Sequence, residues 1–233
     1  MFKNIKAIMD SVSAGVSTPY STLNSSIGGI KKGEWLSIMG GFRSGKTFVM
    51  LNHVLSALES GKSMLLVSTN APLNSSLSKA IQREGFDLNL LENLHILDDY
   101  DCVSADDIFN KAKRLGVDGI AIDSIELLVG RPTKPNSMSF SNREDFVYNN
   151  IRGLLKVSDF FMFSTIISSR SKISYDPAYY DDINIMRHTD VSQFVSGDGA
   201  YRNIECEGCY LPNFNFKINF NLDDCFDLSE IGG

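Results

Sequence analysis

Residues 40–47, Gly-Gly-Phe-Arg-Ser-Gly-Lys-Thr, fill the pattern G-x-x-x-x-G-K-[ST] completely, and the residues on either side narrow the possible folds further. Glu34-Trp-Leu-Ser-Ile-Met39 in front has the composition of a buried strand. Phe48, Leu51, Leu55 and Leu58 behind recur at helical spacing until Ser60-Gly61 stops the run. A strand, a glycine loop and a helix in that order predict a phosphate-binding loop. The glycines let backbone N–H groups turn inward around phosphate oxygens, and the helix offers its positive dipole end to the anion. Gly40, Gly41, Phe42, Arg43, Ser44 and Gly45 would form the cradle. Lys46 would place a point charge on the phosphates, and Thr47 would give a hydroxyl to Mg²⁺. The expected ligand is a nucleotide with Mg²⁺.

The rest of the chain alternates. Strands are predicted at Met64-Leu-Leu-Val67, Leu94-His-Ile-Leu97, Gly119-Ile-Ala-Ile-Asp123 and Phe160 to Ile167, and helices at Leu73 to Glu84, Ala105 to Leu115 and Asn142 to Val157. Such alternation implies an α/β fold, a mainly parallel sheet with helices on both faces. From about Asp190 the helices stop, and Val191 to Val195, Tyr201 to Cys206 and Asn213 to Phe220 read as antiparallel closing strands. Asp123 ends an apolar strand, where phosphate-loop proteins keep the acid that holds Mg²⁺ through water. Phe2, Ile5, Ile8, Met9 and Val12 suggest an amphipathic helix within residues 1–15, ahead of a core over residues 16–233. Ser11 to Ser26, rich in Ser, Thr and Gly, reads as a linker or wrapping loop.

With 22 Lys+Arg against 28 Asp+Glu the formal charge is −6, which argues weakly against coating duplex DNA by bulk charge. The longest apolar run, Phe160 to Ile167, is far short of the ~20 residues of a membrane span. The start meets Asp10 before any long apolar region, so no secretion signal is read and a cytoplasmic setting with reduced thiols is expected. Cys206-Glu-Gly-Cys209 has the spacing of half a zinc site and Cys225 could add a third ligand, but Cys102 is remote in sequence. Thiols lying in and around a C-terminal strand pair are the simpler reading. His53, His95 and His188 form no metal pattern, and His53 is expected on the surface of the phosphate-loop helix.

Ser21-Thr-Leu-Asn-Ser-Ser-Ile-Gly28-Gly29-Ile-Lys-Lys-Gly33-Glu34, running straight into the phosphate loop, resembles the entry to the RecA-like ATPase core of hexameric replicative DNA helicases of the DnaB type. The resemblance spans nearly the whole chain. Met64 to Pro72 resembles that family's strand and turn, Gly119 to Leu128 its Walker B strand, and Asn142 to Ile167 its next helix and strand. His188-Thr-Asp190-Val-Ser-Gln-Phe-Val195 resembles its D-A-D-x-x-x-F-I segment. It implies an ATP-binding RecA-fold oligomer, ring or filament, or an assembly with a related ATPase, acting on single-stranded DNA in replication or recombination.

The same resemblance exposes departures. Asn70 stands at the position of the family's catalytic Glu, and an amide cannot act as a general base. Ser169 stands where a Gln or His senses the γ-phosphate, and with Pro212 aligned, Glu207 and Cys209 replace the lysine and arginine finger. Arg202 remains a possible substitute finger. Lys46, Thr47 and Asp123 survive, so ATP binding with weak intrinsic hydrolysis is expected. DNA contacts would come from two loops, one with Arg131, Lys134 and Arg143, the other with Arg170, Lys172, Tyr175, Tyr179, Tyr180 and Arg187. Asp176, Asp181 and Asp182 in the second loop would oppose a phosphate strand. The apolar stripe at the N-terminus resembles the linker helix that docks on a neighbouring subunit, or else packs on its own core. A small recombinase or strand-annealing ATPase, suggested by Ile122-Asp123-Ser124 and the compact length, is the alternative within the fold. An ATP-binding adaptor without catalysis, suggested by Asn70 and Ser169, is the alternative of another class.

Overall fold

The computed structural model describes residues 15–68, 73–98, 104–126, 128, 140–168, 185–197, 199–208, 211–221 and 227–231. The apolar runs become strands β1 (Trp35–Gly40), β2 (Met64–Ser68), β3 (Leu94–Asp98), β4 (Gly119–Asp123) and β5 (Phe161–Ile167). They are followed by β6 (Val191–Ser196), β7 (Tyr201–Gly208), β8 (Leu211–Asn219) and β9 (Glu230–Ile231). All join one nine-stranded sheet in the order β3-β2-β4-β5-β1-β6-β7-β8-β9. Pairing is parallel from β3 through β6 and antiparallel from β6 to β9. Every residue of β1 is buried, as a strand covered on both faces requires.

The helices are α1 (Ser21–Ile27), α2 (Lys46–Glu59), α3 (Asn74–Ala80), α4 (Ala105–Leu115) and α5 (Phe140–Val157). Alternation along β1 divides the core in two. Leu36 and Ile38 join α2 residues such as Val54 and Leu58 on one face, and Trp35 and Met39 join α4 and α5 residues such as Ile108, Tyr148 and Ile151 on the other. Helices therefore cover both faces, as the alternating pattern predicts. Helix α4 shows why its limits were readable. Ser104 and Asp107 form a capping box at its start, Gly116 takes a left-handed φ of 68° at its end, and Ile108, Phe109 and Ala112 line one buried stripe.

Three expectations change. The described part of the stretch read as a wrapping loop contains helix α1, and Tyr20 and Leu23 beside and within it are completely buried. Its seven residues are too short and too rich in Ser and Thr to display a period. The helix predicted from Leu73 to Glu84 closes already at Ala80. His53 is completely buried rather than on the surface. Its ring faces the sheet, with Nε2 2.8 Å from Gln193 Oε1 on β6 and its centroid 5.2 Å from that of Phe163 on β5. Other sides of α2 are covered too, Ser56 donating to Ser17 O at 3.2 Å and Asn52 to the Leu228 carbonyl at 3.5 Å. The predicted helix within residues 1–15 lies outside the described residues apart from Gly15. Among the described residues no helix is long and apolar enough to cross a membrane.

The sheet tolerates no extra bulk where β4 begins. A Cβ at Gly119 would fall 2.5 Å from Phe161 Cζ and 2.8 Å from Met64 Sδ. Gly119→Ala is expected to cost roughly 1–3 kcal/mol through overpacking, read as a lower urea midpoint at unchanged slope.

Candidate nucleotide site

The phosphate loop lies at the carboxyl edge of the parallel strands. Strand β1 ends on Gly40, flanked by β5 and β6, and α2 begins on Lys46. A Cβ on Gly40 would come within 2.5 Å of Val195 O, so only glycine lets the chain leave β1 this close to β6. Gly45 has a φ of 98° and faces Phe220, whose Cζ would lie 2.6 Å from an added Cβ. Lys46 folds over the loop and donates to Gly40 O at 2.9 Å and Gly41 O at 2.7 Å. Burial lowers the Lys46 pKa, and the charges of Glu126 and then Asp123 oppose that shift. Phe42 at the loop tip is 81% exposed.

Thr47 and Asp123, far apart in sequence, meet at the site. Thr47 Oγ1 donates to Asp123 Oδ2 at 2.9 Å, and Thr165 Oγ1 donates to Asp123 Oδ1. The peptide bond between Asp123 and Ser124 is cis. A hydroxyl and a carboxylate in contact beside the loop are hard oxygen donors, the chemistry that Mg²⁺ takes when it shares its ligands with phosphates and water. The donor set fits that ion.

Two residues carry roles that sequence reasoning did not assign. Glu126 Oε1 accepts the Ile167 N–H at the end of β5, and Ile167 is in register with Gly40. The signal was a carboxylate three residues after Asp123 within the apolar run Ile125 to Leu128. Arg202, considered as an arginine finger for a neighbour, instead serves its own chain. It is 7% exposed, its Nε donates to Ser44 O at 2.8 Å, and its Nη1 donates to Gly199 O at 2.9 Å and Tyr201 O at 2.8 Å. Its guanidinium lies 3.8 Å from the centroid of Phe220, which also meets Phe48 edge-on at 6.3 Å. Strands β7 and β8 thus brace the phosphate loop from the side of β6.

Other candidates lie apart. Asn70, Ser169, Arg131, Lys134, Arg170, Lys172, Tyr175, Tyr179, Tyr180, Cys102, Cys209 and Cys225 lie outside the described residues, as does the side chain of Arg143. Arg187 is exposed, and Glu207 sits on β7 opposite Ser192. Cys206 is completely buried in β7, and burial pushes its thiol up to about 12. Among the described residues no three His, Cys, Asp or Glu side chains gather as a metal cluster.

No family model and no curated protein matches the sequence. Solved structures do. The ATPase domain of G40P superposes with a TM-score of 0.73 at 14% identity, over 92% of this chain and 92% of that one. A DnaB-like replicative helicase, in a structure describing its interactions with primase, superposes with a TM-score of 0.74 at 15% identity over 93% of this chain. This chain spans 62% of the length of that helicase. The sheet order, the loop at its carboxyl edge and these two likenesses establish a RecA-like fold, the one these helicase ATPase domains have.

Proposed function

We propose that the chain binds ATP with Mg²⁺ at Gly40–Thr47 and acts as a helicase-like motor ATPase on single-stranded DNA, as an oligomer, in replication or recombination, with slow intrinsic hydrolysis. The observation that carries the ATP reading is the hydrogen bond of Thr47 to Asp123 beside a loop whose lysine rests on its own carbonyls. Those carbonyl contacts hold the Lys46 ammonium at the mouth of the loop, where phosphate oxygens are better acceptors for a cation than neutral carbonyls. Backbone N–H groups and the α2 dipole would add to the anion's binding. Thr47 and Asp123 would hold Mg²⁺, which would supply neutralisation of phosphate charge. The DNA substrate and the oligomer are supported by the likeness to a replicative helicase and by the basic residues of the two loops.

The experiment is a titration of the purified chain with ATP and Mg²⁺, followed by steady-state turnover with and without single-stranded DNA. Saturable binding lost in Lys46→Ala is expected, with turnover well below the ~10 per second of a median enzyme. Turnover of several per second that Lys46→Ala abolishes would overturn slow hydrolysis, and no ATP binding at all would overturn the whole reading. Single-strand binding that ignores nucleotide even at low salt would remove the DNA role. One observation favours the adaptor as a second reading: Arg202 is occupied at its own loop and does not reach out as a finger. Hydrolysis that stays undetectable with DNA and with candidate partner ATPases, while ATP binding persists, would decide for it.

A further inference from the structure

The position at which the resemblance expects a catalytic carboxylate holds an amide, Asn70, and the structure brings a carboxylate, Glu126, to the strand end beside the phosphate loop. Glu126 follows β4 by three residues, and its Oε1 is fixed by the Ile167 N–H. The next residue, Ser168, donates its N–H to Gly40 O at 2.9 Å, so Glu126 is tied to the strand end that touches the first glycine of the phosphate loop. Its other oxygen, Oε2, is buried and has no hydrogen-bond partner among the described residues. A buried carboxylate oxygen ordinarily accepts at least one hydrogen bond, so this one is poised for a water. Asp123 does not compete for the role, because Thr47 and Thr165 donate to its two oxygens. The charge of Glu126 also acts on Lys46 ahead of that of Asp123, which keeps it within electrostatic reach of a γ-phosphate held by that lysine.

We infer that Glu126 is the general base of ATP hydrolysis in this chain, a relocated substitute for the carboxylate missing at Asn70. The inference rests on the ATP-binding reading above. In the step, a water oxygen bonds to the γ-phosphorus and the bond from that phosphorus to the bridging oxygen breaks, its electron pair leaving with ADP. The water proton passes to Glu126 Oε2. The products are ADP and inorganic phosphate, and Glu126 later returns the proton to solvent.

The test compares the full chain with Glu126→Gln, which keeps shape and removes basicity. ATP affinity is measured by calorimetry, hydrolysis by single turnover with excess protein, and folding by thermal unfolding. Hydrolysis is expected to fall ~10²-fold or more with ATP affinity within about twofold and an unaltered midpoint. A structural counter-charge for Lys46 would instead move affinity. A rate equal to wild type, or a loss of affinity along with rate, overturns the assignment. Wild-type protein that binds ATP without hydrolysing it also overturns the assignment, and leaves the binding reading standing. Wild-type protein that binds no ATP defeats that underlying reading itself. Should Glu126→Gln not fold, Glu126→Asp carries the test: a slower rate at kept affinity supports the base, and an unchanged rate overturns it.

Discussion

Arg202→Ala is expected to weaken ATP binding at least ~10-fold and to lower folding stability by about 3 kcal/mol. The guanidinium donates to three backbone carbonyls, Ser44, Gly199 and Tyr201, and stacks on Phe220. Charge-assisted hydrogen bonds contribute about 1.5–3 kcal/mol each when their loss leaves a buried acceptor, and a desolvated cation–π contact about 2. The alanine variant should recover part of this through water, which is why the expected loss is smaller than the sum. Affinity falls with stability because Ser44 O belongs to the phosphate loop itself. Without its donor the loop loses a fixed point next to Gly45, where an added Cβ would fall 2.6 Å from Cζ of the same Phe220 ring. Arg202→Lys keeps the charge but neither the planar fork nor the stack, so it should fall between wild type and alanine. An arginine finger predicts a different signature, in which Arg202→Ala leaves affinity and single-chain stability intact and removes only hydrolysis in the oligomer. Titration calorimetry and urea denaturation on the same preparations separate the two, and an unchanged affinity would remove the bracing role.

What the sequence made legible follows the physics of local signals. Period and punctuation located β1, α2, α4, β4 and β5 to within a residue or two, because each is set by its own residues: a buried apolar run, a capping box, a glycine at a left-handed turn. The phosphate loop was readable for the same reason, since its backbone chemistry is written into consecutive positions. Contacts made by distant segments were not. Arg202 reads as a possible finger for a neighbour until β7 and β8 are laid beside β6, when it turns out to reach Ser44 of its own chain. Glu126 reads as one polar interruption in an apolar stretch until β5 supplies the Ile167 N–H. Thr47 and Asp123 were each expected to serve one Mg²⁺, from the loop motif and from the strand end, and the hydrogen bond between them is visible only in the fold. His53 shows the limit from the other side. Spacing along α2 sets His53 apart from the stripe of Phe48, Leu51, Leu55 and Leu58, and cannot report that the side it occupies meets Gln193 of β6 and Phe163 of β5.

That buried histidine makes stability depend on pH in a window that the geometry defines. His53 Nε2 lies 2.8 Å from Gln193 Oε1, Nδ1 has no partner among the described residues, and Tyr20 and Phe163 pack on the ring at 5.3 and 5.2 Å. The titratable neighbours Tyr20 and Cys206 are both pushed upward by burial, so neither is ionised near neutrality to offset a charge. Desolvation therefore dominates and lowers the His53 pKa from 6.5 to about 4, against a smaller upward pull from Gln193. With the folded-state value below the unfolded one, the unfolded chain binds the extra proton between these two values. The neutral imidazole's contribution is complete above pH 6.5 and is lost as pH falls through the window toward 4. At about 1.4 kcal/mol per pH unit over that interval, the loss should reach roughly 3 kcal/mol by pH 4. Carboxylates titrate in the same range, so the measurement is a difference. Urea denaturation of wild type and His53→Gln, which keeps a polar partner for Gln193 and cannot ionise, should give stability curves that diverge by that amount between pH 7 and pH 4, wild type falling faster. Parallel curves would mean that the folded protein protonates His53 as readily as the unfolded chain does, and that the cavity around its ring admits the charge.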